Sequence, residues 1–451
     1  MMKYDVIVCG AGPSGMSAAI AAKRNHANVM LIESSGLLGG ANVLSLAGPW
    51  MTFHNNGVQV IKGIAGEFVE KLVERGHSCG HITDPIDFCD TITPVDIEGV
   101  EELYFDYIRE ESIGLLLHAM VCGVIQEDNT IKGVQVATKS GILDIYANVV
   151  IDATGDGDVC EMMGCEYVLG RTKDNLRQPM TMIFTIGNVD TNQIKEYMKK
   201  HPDDFVSKEG YEGDYLAVSG FFSKVEEARN NDEFDLPRDR VLIFEEVRKN
   251  QVSVNMTRVQ NLSGIDAFEL TKAEIEGRLQ IKKAFQFLKK YIPGFANSYI
   301  VRTPSKIGIR ETRHIMGEYL LQIEDILALR RFDDSICLSS FPVDIHAPSG
   351  EKLELFEQSK DKGYEIPIRV MLPKRINNLI VTGRCISATH EAAASLRVTP
   401  TAMALGQAAG VLGALSSKLK LSPKEVNYRL VQDQLLQEGQ VIKRVSNVQH
   451  E

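Results

Sequence analysis

The sequence predicts an α/β fold, in which one domain with a parallel central sheet carries an inserted α+β domain. Three observations carry this reading. The chain opens on an apolar strand, a glycine-rich turn, a small-residue helix and a second apolar strand. Strand-ending glycine turns recur far downstream, at Ala153-Thr-Gly155 and at Gly383. Between those two turns the chain becomes more polar and mixes helix and strand signals. Short, fully apolar strands alternating with helices are the mark of a parallel sheet covered on both faces. A chain of 451 residues has room for two or three domains.

Taken in order, Asp5-Val-Ile-Val-Cys9 reads as a buried strand, Gly12 to Arg24 as a helix, and Val29-Met-Leu-Ile32 as the next strand, ending at Glu33. Gly36-Leu-Leu-Gly-Gly40 is a flexible loop. Glu67 to Arg75 forms a short amphipathic helix closed by Gly76. Leu115 to Ile125, Val134 to Thr138, Leu143 to Tyr146 and Val149 to Ala153 read as strands that lead into the turn Ala153-Thr-Gly-Asp-Gly-Asp158. Thr271-Lys-Ala-Glu274 has the form of a capping box that opens a long helix, which Pro293-Gly294 stops. Asn378 to Gly383 is another buried strand, followed by a helix from about 400 to 418 and a last one capped by Ser422-Pro-Lys-Glu425. The resulting division is 1–50, 101–165 and 371–420 for the nucleotide-binding domain, 51–100 for a cap or linker segment, 166–370 for the substrate or cap domain, and 421–451 for the C-terminal helix.

Composition excludes several classes. The net charge of −11 and the lack of a Lys/Arg run argue against a nucleic-acid partner or an anionic membrane surface. The Ala/Gly-rich stretch from Ala402 to Leu415 falls short of the ~20 apolar residues of a membrane span. No secretory signal is expected ahead of the first strand, so a cytoplasmic protein with no membrane partner is the expectation. The 8 cysteines form no C-x-x-C pair, which argues against disulfides and structural zinc. His77-Ser-Cys79-Gly-His81 reads as a polar loop rather than a metal site; no metal is expected. A homo-oligomer is compatible with the chain.

The first turn, Gly10-Ala11-Gly12-Pro13-Ser14-Gly15, is G-x-G-x-x-G in its required setting between strand and helix. Gly10 permits the tight turn, Gly12 lets backbone approach a pyrophosphate, and Gly15 allows close packing of a helix whose N-terminus favours phosphate. Glu33 would accept hydrogen bonds from ribose hydroxyls. This fingerprint alone does not separate FAD from NAD. The turn at Gly155, the strand-ending Gly383 and Arg397-Val-Thr-Pro-Thr401 together favour FAD: Thr399 can cap the Ala/Gly helix and Pro400 suits its first turn. A helix start aimed at the flavin would stabilise negative charge on the reduced ring.

Four further segments carry a family resemblance: Gly308-Ile-Arg310-Glu-Thr-Arg313, Tyr364-Glu-Ile-Pro-Ile-Arg369, Leu379-Ile-Val-Thr-Gly-Arg384-Cys-Ile-Ser-Ala-Thr-His390, and Arg397-Val-Thr-Pro-Thr-Ala-Met-Ala-Leu-Gly-Gln-Ala-Ala-Gly410. With the fingerprint they resemble the bacterial FAD-dependent oxidoreductases of the glutathione-reductase superfold, related to the fumarate reductase and succinate dehydrogenase flavoproteins. The resemblance covers nearly the whole chain and implies a Rossmann-type FAD domain with an inserted cap. It implies that Gly383, Arg384, Thr401 and Ala402 lie near the flavin ring and Val121 beside the adenine. Ser34, Gly39, Gly40, Ala41, Asn42, Ala153, Thr154, Gly155 and Asp158 complete the expected cofactor contacts. The loop from Glu33 to Gly40 has no histidine, so the FAD is expected to be noncovalent. Disulfide reductases carry a cysteine pair after this loop, where the present chain has Ala41-Asn-Val-Leu-Ser-Leu46.

Hydride transfer needs a substrate held against the flavin, with charge or an acid/base group at hand. The candidates are Arg310, His390 and Arg397, with His390 as proton donor or acceptor and the arginines as anion holders; a small, anionic substrate and a separate electron donor or acceptor follow. The structural alternatives stay open: Arg310, Glu311 and Arg313 as ion pairs locking cap to core, His390 as a turn-stabilising side chain, and His314 and His346 at the surface or at an interface. Two other functions are weighed, a tRNA-modifying flavoprotein and a protein in which FAD is a structural or sensing ligand.

Overall fold

The strand β1 (Lys3–Cys9) forms because Val6, Ile7, Val8 and Cys9 are apolar on both faces, and all four are buried in the structure. The structure is a computed structural model, which describes residues 2–346, 353–355 and 363–444. After β1 come α1 (Pro13–Arg24), β2 (Val29–Ile32), β3 (Gly114–Leu116), β4 (Met120–Glu127), β5 (Thr130–Thr138) and β6 (Gly141–Asp152). After the inserted domain the chain returns as β7 (Leu379–Val381). The central sheet runs β3-β2-β1-β6, all parallel. The far flank of β6 is shared. Its last residues pair with β7 in parallel, and its first residues pair with β5 in antiparallel fashion, with β4 outermost.

Several boundaries differ from the sequence reading. The stretch 115–125 is not one strand: it breaks at His118, which has φ 51°, and the N–H groups of His118 and Ala119 donate to the carbonyls of Ser35 and Glu33. The two strands read at 143–146 and 149–153 are one strand, bent between two neighbours. The helix Ile97–Glu110 was not anticipated. The long cap helix, α2 (Ala267–Tyr291), starts ahead of Thr271. Asp266 caps it by accepting from the N–H groups of Phe268 and Glu269, and the Thr271 hydroxyl instead donates to the Ala267 carbonyl inside the helix. Ser422 to Glu425 is a turn, and the last helix begins at Tyr428 with Asn427 as its cap.

The inserted domain is a six-stranded antiparallel sheet in the order 205–206, 217–220, 241–245, 251–254, 184–187, 299–302. Side chains alternate across it. Phe184, Ile186, Val218, Ile243, Val252 and Val254 face a core shared with α2. Ser219, Leu242 and Phe244 line the opposite face, which looks onto a cavity. This second core draws on residues between Met180 and Ile307, whereas Ile315, Leu321, Ile336, Tyr364 and Val370 join the first core. The stretch 166–370 is therefore divided between two cores.

Two helices close the nucleotide domain, α3 (His390–Leu396) and α4 (Thr399–Leu419), bent by 92° at the break. The Ala/Gly composition of α4 has a packing cause. A Cβ on Gly406 would stand 2.1 Å from the Ser14 carbonyl oxygen, and one on Gly410 would stand 2.2 Å from that of Ala18, so α4 lies directly on α1. Among the described residues no single helix is long and apolar enough to cross a membrane.

Candidate active site

A cavity of about 1000 Å³ lies between the C-terminal edge of the parallel sheet and the cap sheet. This is where the loops of an open α/β sheet place a ligand. The fingerprint turn forms one wall. Gly10 has φ 100°, and a side chain there would meet the Ala153 carbonyl at 2.5 Å; one on Gly15 would meet the Gly10 carbonyl at 1.8 Å. Gly12 is different: a Cβ there meets only the Gly40 Cα, at 4.0 Å, so its open side faces the cavity. Gly12 begins α1 without a side-chain cap, and the first turn has no acidic residue. The N–H groups and positive helix end are thus left for an anion.

Glu33 lines the cavity yet is mostly buried. Its Oε2 accepts the Ala11 N–H at 2.8 Å, and its Oε1 accepts the Ser35 N–H at 2.8 Å and the Ser34 hydroxyl at 3.1 Å. The carboxylate therefore holds the turn as well as facing the cavity. Gly39 and Gly40 both have positive φ and pack on the turn, with the Gly39 N–H donating to the Ala11 carbonyl at 2.8 Å. Ala41, Asn42, Val121, Ala153, Thr154, Gly155, Asp158, Gly383, Arg384 and Ala402 also line the cavity. Ala11, Gly15, Gly39 and Thr401 do not line it. The first three shape the turn behind it, and the Thr401 hydroxyl is buried against that of Ser339 at 2.9 Å. Thr399 is no cap: its hydroxyl donates to Asn42 Oδ1 at 2.8 Å, and α4, like α1, begins without one.

The second glycine turn is held from below. Buried Asp152 accepts from the Thr154 N–H and hydroxyl and from the Cys160 N–H. Arg384 is committed to Asp156 at 2.7 Å, and Arg313 to Asp158 at 3.0 Å. Burial, the largest single influence, raises Asp156, but the Arg384 guanidinium, the Thr312 hydroxyl and Lys306 together outweigh it and keep the carboxyl below its ordinary range. Here the ion-pair reading of Arg313 holds.

Arg310 behaves otherwise. It is nearly buried, it lines the cavity, its Nη1 donates to the Pro179 carbonyl at 2.5 Å, and it makes no salt bridge among the described residues. Burial, followed by the charge of Arg397, pushes its pKa well down. Arg397 also lines the cavity, with Nη2 3.2 Å from Asp344 and 3.3 Å from Gln178 Oε1. Three cap arginines that the sequence reading did not single out join them: Arg238 and Arg258, both buried, and the part-buried Arg240, which is paired with Asp239 at 2.9 Å. Burial and then Arg258 bring Arg238 down to about 10. Arginine keeps its proton in a protein, so the three buried guanidinium groups of Arg238, Arg258 and Arg310, with the part-buried Arg397, make the cavity a place for an anion. No local motif announces Arg238 or Arg258, and only the folded cap sheet brings them here.

His390 requires a correction. It does not line the cavity: its Nδ1 lies 2.8 Å from Glu311 Oε1, the oxygen that His314 Nε2 approaches at 3.0 Å. His314 is likewise buried, which leaves the interface and not the surface alternative. The capped start of α3 turns His390 inward onto this buried carboxylate. Burial alone would raise Glu311, but the hydrogen bonds with the two imidazoles outweigh it and hold the carboxyl at about 2. Glu311 Oε2 accepts the Gln178 N–H at 2.9 Å, which ties the group to the residue that contacts Arg397.

Comparison with known proteins identifies the family of the chain. A family model described as FAD dependent oxidoreductase matches residues 5–435. A urocanate reductase of Eggerthella lenta is 42% identical over 82 residues, 18% of this chain and 13% of the relative. A digeranylgeranylglycerophospholipid reductase of Methanococcoides burtonii is 24% identical over 166 residues, 34% of this chain and 38% of the relative. The matches thus span well under half of each relative's length. Among solved structures, a geranylgeranyl bacteriochlorophyll reductase-like protein from Thermoplasma acidophilum aligns over 97% of this chain and 84% of its own, with a TM-score of 0.46 and 13% identity.

Proposed function

Since the chain belongs to the FAD dependent oxidoreductase family, we propose that it moves a hydride between the flavin and a small anionic organic substrate held by Arg238, Arg258, Arg310 and Arg397. FAD is its cofactor. The residues present suit it: the open side of Gly12, the uncapped start of α1 and the acceptor Glu33 match a pyrophosphate and a ribose. The flavin, when bound, supplies the two-electron chemistry.

The chain's own residues supply binding and exclusion of water. The cap sheet covers the cavity, so that charges inside act in a less polar medium than water. The four arginines hold the substrate's anionic group, and Asp344 fixes Arg397 in place. His390 and His314 act at a distance, by holding Glu311 ionised behind Gln178. The observation that carries this reading is the buried arginine group, above all Arg310 with no carboxylate partner among the described residues. The urocanate reductase match supports a reductase on the fumarate reductase branch. The single dinucleotide fingerprint supports a separate electron donor or acceptor.

Stopped-flow mixing of the oxidised and of the reduced flavoprotein with small carboxylates and their uncharged amides tests this. Carboxylates are expected to change the rate of flavin reduction or reoxidation. Equal responses to the amides would remove the anionic substrate from the account.

A further inference from the structure

The cavity has a second kind of wall. Phe88, Leu242, Phe244 and Phe341 line it without a charged group among them. Phe88 and Phe341 meet edge to face with ring centroids 5.6 Å apart. Phe244 belongs to a small apolar cluster with Ile86 and Ile92, and Phe88 and Leu242 pack against it. Strand alternation dictates this face: Val241 and Ile243 point into the cap core, so Leu242 and Phe244 must point out of it.

This wall joins the arginines at both ends. At one end the Asn255 N–H donates to the Leu242 carbonyl at 3.0 Å, and the Asn255 carbonyl accepts from Arg238 at 3.4 Å. At the other end Phe341 lies shortly before Asp344, whose Oδ2 accepts from Arg397 at 3.2 Å. An anion seated on the guanidinium groups therefore has an apolar surface beside it on either route. A short dicarboxylate would bring charge or water against that surface. A ring would pack on it, since three of the four side chains are aromatic and favour offset or edge contacts.

Resting on the anionic-substrate reading above, we propose that the substrate class is the aryl-substituted carboxylates, with the carboxylate on the arginines and the ring on Phe88, Leu242, Phe244 and Phe341. These four residues then set specificity by size and polarity.

The test is calorimetric titration of the FAD-loaded chain with 3-phenylpropionate, succinate and 3-phenylpropanol. Phenylpropionate is expected to bind at least about tenfold more tightly than either, with a more negative heat-capacity change than succinate. Leu242→Asn and Phe88→Asn, on separate segments, are each expected to weaken phenylpropionate roughly tenfold while FAD content and succinate binding hold. Succinate binding as tightly as phenylpropionate, or both variants binding phenylpropionate normally, overturns the aryl assignment and leaves the anionic reading standing. Phenylpropanol matching phenylpropionate overturns the anionic reading instead. Binding of none of the three overturns both.

Discussion

At the level of single residues, the site combines a carboxylate with two duties and a set of guanidinium groups held under charge stress. Glu33 faces the cavity and also binds the N–H groups of Ala11 and Ser35. Losing a charged acceptor costs about 1.5–3 kcal/mol, so Glu33→Ala should weaken FAD roughly ten- to a hundredfold; fluorescence titration of the apoprotein with FAD measures this. Arg397→Gln should leave FAD bound and lower kcat/KM for an anionic substrate by a similar factor, because the proposed anion site loses one of its charges. Unchanged kcat/KM would place the anion elsewhere. Glu311 makes a pH prediction. Its carboxyl sits at about 2 against an ordinary 4.5, with His314 and His390 on one oxygen and the Gln178 N–H on the other. A depressed carboxyl contributes stability that is present above the ordinary value and is lost as pH falls from about 4.5 to about 2, on the order of 3 kcal/mol in all. Glu311→Gln should therefore flatten the fall of Tm over that range, and an unchanged acid limb would mean that the carboxylate is not held this way.

At the level of elements, the cofactor wall depends on how closely α1, α4 and the glycine turns approach one another. Gly406 on α4 has no room for a methyl group, since its Cβ would lie 2.1 Å from the Ser14 carbonyl. Gly406→Ala should push α4 away from α1, cost about 1–3 kcal/mol and displace the uncapped start of α1 that lines the cavity. Scanning calorimetry and FAD content would both register it; normal values for both would mean the helices can separate without harm. The elements also show where sequence reading works. β1, α1 and β2 are built by local pattern, with a short apolar run, a turn that needs glycine, and Pro13 at a helix start. Thr271 was misread because a Thr-x-x-Glu pattern occurs inside helices too, and the stronger cap Asp266 lies just ahead of it. The strand read across 115–125 breaks because the carbonyls of Glu33 and Ser35 capture the N–H groups around His118, a long-range effect that no local window contains.

At the scale of the whole molecule, cofactor and fold should be thermodynamically linked. FAD at a hundredfold excess over its Kd should stabilise the folded chain by about 2.7 kcal/mol, visible as a rise in Tm on adding FAD to the apoprotein. Acid precipitation should leave the flavin in the supernatant, because the loop from Glu33 to Gly40 offers no histidine for attachment. Flavin that remains in the pellet would show a covalent link.

The sequence by itself determined the nucleotide-binding half: the fingerprint, Glu33, the parallel strands and the cofactor class. These rest on patterns that are local in sequence, or on glycine positions where backbone geometry leaves no other choice. Arg310 and Arg397 were legible as candidates because each sits in a motif. Tertiary structure alone decided the rest. It brought Arg238 and Arg258 to the same space from a polar insertion without a motif, and it turned His390 away onto Glu311. It also selected which alternating face of the cap sheet looks into the cavity. The physical reason is that charge and burial are collective properties. A guanidinium becomes an anion site only when folding removes its water and sets other guanidinium groups beside it, and neither condition is written in any one segment of the chain.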